Sequence, residues 1–225
     1  MRTPVVIINF KTYESGTAEH AVALAKVCEQ VAQEEQANIV LAVQAEDLYH
    51  IKQSVSLPVY AQHIDAEDFG SHTGSILAEA VKENGAIGTL LNHSERQLDI
   101  GVLEKSVEKA KEAELELCIC ADSPQMAESV AAFEPQMVAF EPPELIGGDI
   151  SVSTAQPELI SETVEKVKAI HPDCAVLVGA GVKNGADVAK SLELGAEGVL
   201  LASGVTKAED PYAVLKDLCS GLKKA

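Results

Sequence analysis

Tryptophan is absent from this chain of 225 residues, and aromatic residues make up only 4% of it. A core of ordinary size must then be packed from Ala, Val, Ile and Leu, which the 47% hydrophobic content supplies. Positive charge is scarce too: 17 Lys and Arg stand against 35 Asp and Glu, a formal net charge of −18. A field of that sign repels nucleic acid and anionic membrane surfaces, so neither is an expected partner. A small anionic substrate would feel the same repulsion and would need backbone dipoles to reverse it locally. Metal-ligand spacing is missing among the five cysteines, Cys28, Cys118, Cys120, Cys174 and Cys219, whose odd number and scatter also speak against a disulfide framework. They read as small buried apolar residues in a reducing compartment. After Met1-Arg2-Thr3-Pro4 the first apolar stretch is five residues long, too short for a signal peptide or a membrane span, and a soluble cytoplasmic protein is expected.

What the chain does have is alternation. Eight short apolar runs, Val5–Asn9, Asn38–Val43, Pro58–Gln62, Ala86–Leu91, Leu115–Ala121, Pro135–Phe140, Cys174–Gly179 and Gly198–Leu201, suit strands buried on both faces of a parallel sheet. Between them the period changes to that of helices. Ala21, Leu24, Ala25, Cys28, Val31 and Ala32 make one helical face; Leu103, Ser106, Val107 and Ala110 a second; Ile160, Thr163, Val164 and Val167 a third. Ser123-Pro124 and Asp210-Pro211 place a capping side chain before a proline at the first helical position. Gly85 and Gly195 stand where helices should stop. No linker or low-complexity tract divides residues 1–225, so one domain is expected. Serial βα units allow an open doubly wound sheet or a closed barrel; the count of eight favours a (β/α)8 barrel.

In such a barrel the chemistry lies where strands end. The first run is followed by Asn9-Phe10-Lys11, the fourth by Asn92-His93-Ser94-Glu95-Arg96. Ser94-Glu95 resembles a helix start, whose positive end would hold the His93 imidazole neutral and able to donate to a carbonyl. The sixth run is followed by Glu141, then Pro142-Pro143-Glu144-Leu145-Ile146-Gly147-Gly148-Asp149, which reads as a stiff-hinged lid beside an acid. The seventh and eighth lead into Gly179-Ala180-Gly181-Val182 and Ala202-Ser203-Gly204-Val205, small residues whose N–H groups can approach an anion.

These segments, in this order at successive strand ends, resemble the triosephosphate isomerase family over nearly the whole chain. Asn92 in place of a glycine, Pro143-Glu144-Leu145 in the lid and the shortness of the chain resemble its archaeal branch. The resemblance implies proton transfer between adjacent carbons of a small phosphorylated triose, dihydroxyacetone phosphate or glyceraldehyde 3-phosphate, through an enediolate and with no cofactor or metal. That family is itself a standard worked case of acid–base catalysis, in which a glutamate base, a neutral histidine and a closing loop divide the task. By resemblance those roles fall here on Glu141 and His93, with Lys11 and Asn9 at the developing oxyanion and Glu95 orienting Lys11. Ile146, Gly147, Gly181, Val182, Ala202, Ser203 and Gly204, with Asn9 and Lys11, would bind the substrate. The resemblance also implies a homo-oligomer, a tetramer or else a dimer. A phosphosugar isomerase or epimerase of another kind would share the phosphate loops, and a barrel that had lost its chemistry would share the fold. The pairing of Asn9-Phe10-Lys11 with His93-Ser94-Glu95 argues against the first, and joint retention of Lys11, His93 and Glu141 against the second.

Overall fold

A computed structural model describes residues 3–145 and 151–223. Its strands are β1 (Val5–Asn9), β2 (Asn38–Val43), β3 (Val59–Ala61), β4 (Gly88–Leu91), β5 (Glu116–Ala121), β6 (Met137–Phe140), β7 (Ala175–Val178) and β8 (Gly198–Leu201). They close into a parallel barrel in sequence order, with β1 also pairing β8. Helices lie between the strands and outside the ring, as parallel crossovers require.

β1, β2 and β8 coincide with the apolar runs that predict them. The other five runs outlast their ladders. Pro58, Ala86, Leu115 and Gln136 all lie outside the paired segments, although Ala86 and Leu115 are buried. Those two close helix ends instead, their N–H groups donating to the Val81 and Ala110 carbonyls. An apolar run reports burial, whereas a strand is bounded by hydrogen bonding.

Two helical faces fall wholly where periodicity puts them; on the third, in the helix Pro157–Ile170, Ile160, Thr163 and Val167 are buried and Val164 only partly. Ala21, Leu24, Ala25, Cys28, Val31 and Ala32 are the buried residues of the helix Ala18–Glu35, and Leu103, Ser106, Val107 and Ala110 those of Ile100–Glu112. Ser123 accepts from Met126 N–H at 3.2 Å and Asp210 from Ala213 N–H at 3.0 Å, each just before a first-turn proline. Gly85 and Gly195 adopt φ of 95° and 96°, left-handed conformations that cost glycine least.

Strand alternation divides the apolar side chains into two layers. Val5, Ile7, Val40, Ala42, Tyr60, Leu90, Cys118, Cys120, Met137, Ala139, Ala175, Leu177 and Leu200 fill the barrel interior. Their sequence neighbours, among them Val6, Ile8, Ile39, Leu41, Val138 and Val176, pack outward against the helices. Cys118 and Cys120 thus share a face, as their spacing predicts. Tyr60 is the largest fully buried side chain; its hydroxyl donates to Glu116 Oε2 at 2.6 Å. Its ring and the Glu116 carbonyl together occupy the space that any side chain at Gly88 would need, since a Cβ there would sit 2.6 Å from Tyr60 Cε1 and 2.7 Å from the Glu116 carbonyl oxygen.

Overpacking a close-packed interior costs about 1–3 kcal/mol. The expected outcome for Gly88→Ala is a loss of stability of that size, read from the denaturant midpoint, with part of it recovered in the double variant Gly88→Ala/Tyr60→Leu. Non-recovery would show that the Glu116 carbonyl, not the Tyr60 ring, is the obstacle.

Candidate active site

Continuing each strand by two residues past its last apolar interior side chain gives the next inward position, at the C-terminal mouth of the barrel. On β1 this is Asn9, then Lys11; on β6 it is Glu141; on β7 it is Gly179; on β8 it is Ala202. Period-two geometry therefore delivers Asn9, Lys11 and Glu141 to a common space. A pocket at this mouth is lined by Asn9, Lys11, His93, Glu141, Gly181, Val182, Ala202, Ser203 and Gly204. All nine are among the residues expected from sequence; Glu95, also expected, lies outside this lining and borders the adjoining cavity with Lys11 and His93. Tyr13, Ala180, Lys183, Leu200 and Leu201 join the nine in the lining and are not among those expected; Tyr13, Ala180 and Lys183 sit beside motif residues, where only the fold shows that they face the same space. Ile146 and Gly147, with the lid segment Ile146–Gly147–Gly148–Asp149, lie outside the described residues.

Lys11 sits on a constrained backbone. Its φ is +48°, a left-handed conformation that non-glycine residues adopt at a cost and that recurs at functional sites. Both its peptide groups are held: Asn9 Oδ1 accepts from Lys11 N–H at 3.0 Å, and Gln62 Nε2 donates to the Lys11 carbonyl, also at 3.0 Å. The ammonium pairs with Glu95 Oε1 at 2.9 Å. Nothing local in the sequence couples residue 62 to residue 11, so the part played by Gln62 is visible only in the fold.

His93 is 7% exposed. It stands before a single turn of 3-10 helix, Ser94–Arg96, and caps it: Glu95 N–H donates to His93 Nδ1 at 3.1 Å. A helix start at Ser94-Glu95 is thus present, but as three residues, too few for a helix dipole of any reach. The imidazole pKa is lowered chiefly by burial, then by the Lys11 charge, with Glu95 opposing. With Nδ1 accepting, the ring proton resides on Nε2. That atom is 3.5 Å from Glu141 Oε2.

Glu141 is 6% exposed, and its Oε2 has no hydrogen-bond partner. Burial pushes its carboxyl from the ordinary 4.5 up to about 7, while the Lys11 charge and the Cys120 thiol pull the other way. Its backbone is tied to β5, Glu141 N–H donating to the Ala121 carbonyl at 2.9 Å. At the end of the neighbouring strand β7 only a glycine fits beside it, because a Cβ on Gly179 would lie 2.6 Å from Glu141 Oε1. Next in chain, Ala180 and Gly181 have φ of 66° and 72°. Both line the pocket, where their small size lets an anion come close to the backbone. Ser203 and Gly204 open the short helix Ser203–Thr206, whose first N–H groups have no partner within it. Among the described residues no group of three or more His, Cys, Asp or Glu side chains is gathered so as to hold a metal ion.

A sequence model of the triosephosphate isomerase family matches residues 4–220. The chain belongs to the triosephosphate isomerase family. It is 48% identical to the triosephosphate isomerase of Methanothermus fervidus over 218 residues, covering 97% of this chain and 98% of that one. The Methanobacterium bryantii enzyme of the same name is also 48% identical, with 97% and 96% covered. Among solved structures, triosephosphate isomerase from Bartonella henselae superposes with a TM-score of 0.78 at 17% identity, covering 99% of this chain and 100% of the other. That likeness speaks to the barrel. The archaeal relatives speak to the family, and they exclude the rival phosphosugar barrels as a family assignment.

The raised carboxyl of this triosephosphate isomerase relative has two consequences of fixed sign. Only the ionised form of Glu141 can accept a proton, so any reaction in which it is the base should lose kcat/KM as pH drops through about 7. A group whose folded pKa lies above its unfolded one adds stability below the unfolded value and loses it as pH rises through the folded value. Glu141→Gln should therefore melt at a higher temperature than the parent above pH 7, with the gap closing below the ordinary value of 4.5. Melting curves of both proteins across that range check it; a gap independent of pH would mean the carboxyl is not held up by burial.

Proposed function

We propose that this protein interconverts dihydroxyacetone phosphate and D-glyceraldehyde 3-phosphate by proton transfer through an enediolate, as an aldose-ketose isomerase serving glycolysis and gluconeogenesis. The observation that carries the reading is one pair: a neutral imidazole with its Nε2 3.5 Å from the unpartnered oxygen of a buried carboxylate, at the barrel mouth. A base poised near neutrality and a fixed donor are what proton movement between adjacent carbons requires.

In this reading Glu141 removes a proton from the carbon beside the carbonyl and returns it to the neighbouring carbon. His93 Nε2–H hydrogen-bonds the substrate oxygens, and a neutral imidazole suits that task because its acidity is closer to that of the enediol than an imidazolium's would be. Lys11 places positive charge near the developing oxyanion, Asn9 adds a neutral donor, and Glu95 orients the Lys11 ammonium. Gly181, Val182, Ala202, Ser203 and Gly204 receive the phosphate, with Ile146 and Gly147 contributed from the segment beyond Leu145. The small residues Ala180 and Gly181 in the pocket lining and the helix start at Ser203 support the phosphate assignment. They also answer the repulsion of a −18 chain for an anionic substrate, by supplying positive backbone ends at short range.

The segment from Glu144 to Ser151 is taken as a lid that keeps water from the enediolate. Its fixed ends support this: Pro142-Pro143 on one side, and on the other Val152 N–H, which donates to the Ala180 carbonyl at 3.3 Å. Residues 1–225 are read as one barrel domain. The β1–β8 pairing, which closes the ring from near residue 5 to residue 201, supports that. A cytoplasmic homo-oligomer, a tetramer or else a dimer, completes the proposal. No helix among the described residues is long and apolar enough to cross a membrane.

A coupled assay with dihydroxyacetone phosphate, and with glyceraldehyde 3-phosphate in reverse, tests the reading directly. Glu141→Gln is expected to bind a phosphate-bearing analogue nearly as the parent does while turnover falls by about a thousandfold or more. Retention of more than about a tenth of the parent rate would remove Glu141 from the base role.

A further inference from the structure

At the seam between β4 and β5 a side chain takes over from the backbone ladder. The two strands pair from Gly88 with Glu116 to Leu91 with Ile119, so one more rung would join Asn92 to Cys120. Instead Asn92 turns to φ +57°, and its Nδ2 donates to the Cys120 carbonyl at 3.0 Å. The other half of the amide is also engaged, Oδ1 accepting from Leu98 N–H at 3.0 Å. The side chain is buried. A donor facing a carbonyl and an acceptor facing an N–H leave the amide a single sense.

Three consequences meet at His93. The bond to Leu98 closes a short loop, and His93 and Glu95 both lie inside it. The bond to Cys120 fastens that loop to β5, whose next carbonyl, of Ala121, holds Glu141 N–H at 2.9 Å. The histidine loop and the carboxylate strand end therefore hang from consecutive carbonyls of one strand. Strand phase supplies the third: Leu90 points into the barrel and Leu91 outward, so an unbroken strand would send His93 out with Leu91. The left-handed turn at Asn92 brings the ring back to the mouth. Glycine would meet the φ requirement at less cost than asparagine; what asparagine adds is the pair of amide bonds.

We propose that Asn92 is a positioning residue for the isomerase reaction, setting the His93 imidazole against the Glu141 carboxylate by bridging β5 and the far end of the histidine loop. The inference rests on the roles given above to His93 and Glu141, and its test keeps the two apart. Asn92→Gly allows the left-handed turn and removes both amide bonds. Asn92→Ala does the same with a Cβ, which this chain already carries at positive φ at Ala18 and Ala180. In either variant kcat should fall about tenfold or more with KM changed less than about threefold, since the substrate-holding groups are untouched. Independently of activity, the ring nitrogen resonances of His93 in 15N-labelled protein should move: the parent signal of an accepting Nδ1 and protonated Nε2 should give way to mixed tautomers or to titration nearer the ordinary histidine range. Loss of fold by the glycine variant leaves the alanine variant to decide, and loss of both would assign Asn92 to stability and overturn the proposal. So would a folded variant with kcat within about twofold of the parent and unchanged His93 resonances. An inactive parent would sink the isomerase reading alone, because the resonance comparison would still report whether Asn92 sets the ring.

Discussion

Closure of eight parallel strands into a ring leaves each strand one inward row, and everything at the mouth follows from where those rows end. Ile7 is succeeded by Asn9 and Lys11, Ala139 by Glu141, Leu177 by Gly179. Apolar residues lower in the same rows exclude water beneath the carboxylate, and this is why burial dominates the upward shift of Glu141. One geometric rule thus both places the base and sets its proton affinity. His93 is out of phase with its strand, and there a left-handed asparagine brings it in.

The electrostatics of the mouth are local. Acidic residues outnumber basic ones about two to one over the chain, yet the pocket gathers Lys11, Lys183 and the helix start at Ser203. Lys11 is shared: its charge lowers the His93 pKa and restrains that of Glu141, while Glu95, paired to it at 2.9 Å, works against it at both groups. Burial moves the two neighbouring groups in opposite directions, the imidazole down and the carboxyl up to about 7, while the one ammonium lowers both.

Most of this is legible in the sequence because burial is periodic and periodicity shows in the order of residues. Helical faces and three strands emerge with their bounds intact, and Lys11 and Glu141 stand out because they closely follow apolar runs. Bounds at Ala86 and Leu115 fail because those buried residues close helix ends and do not join the ladder. At His93 the sequence rightly suggests a neutral ring near a helical turn, but the cause differs, burial outweighing any dipole. Gln62 holding the Lys11 carbonyl, and Asn92 reaching the Cys120 carbonyl, are contacts across distant positions that no local pattern encodes. Asn92 stands out in the sequence only as a departure from glycine.

The five cysteines, of which Cys120 restrains the Glu141 carboxyl through its thiol, also have a practical meaning. All are buried thiols, and burial lifts Cys219 to about 11 and Cys174 to about 12, far from the thiolate that alkylating reagents attack. Cys118 and Cys120 lie inside the ring, and Cys28, Cys174 and Cys219 in the shell between strands and helices. The molecule therefore carries its own set of reporters: the shell thiols record helices lifting from the barrel, and the inner pair records the ring itself coming open.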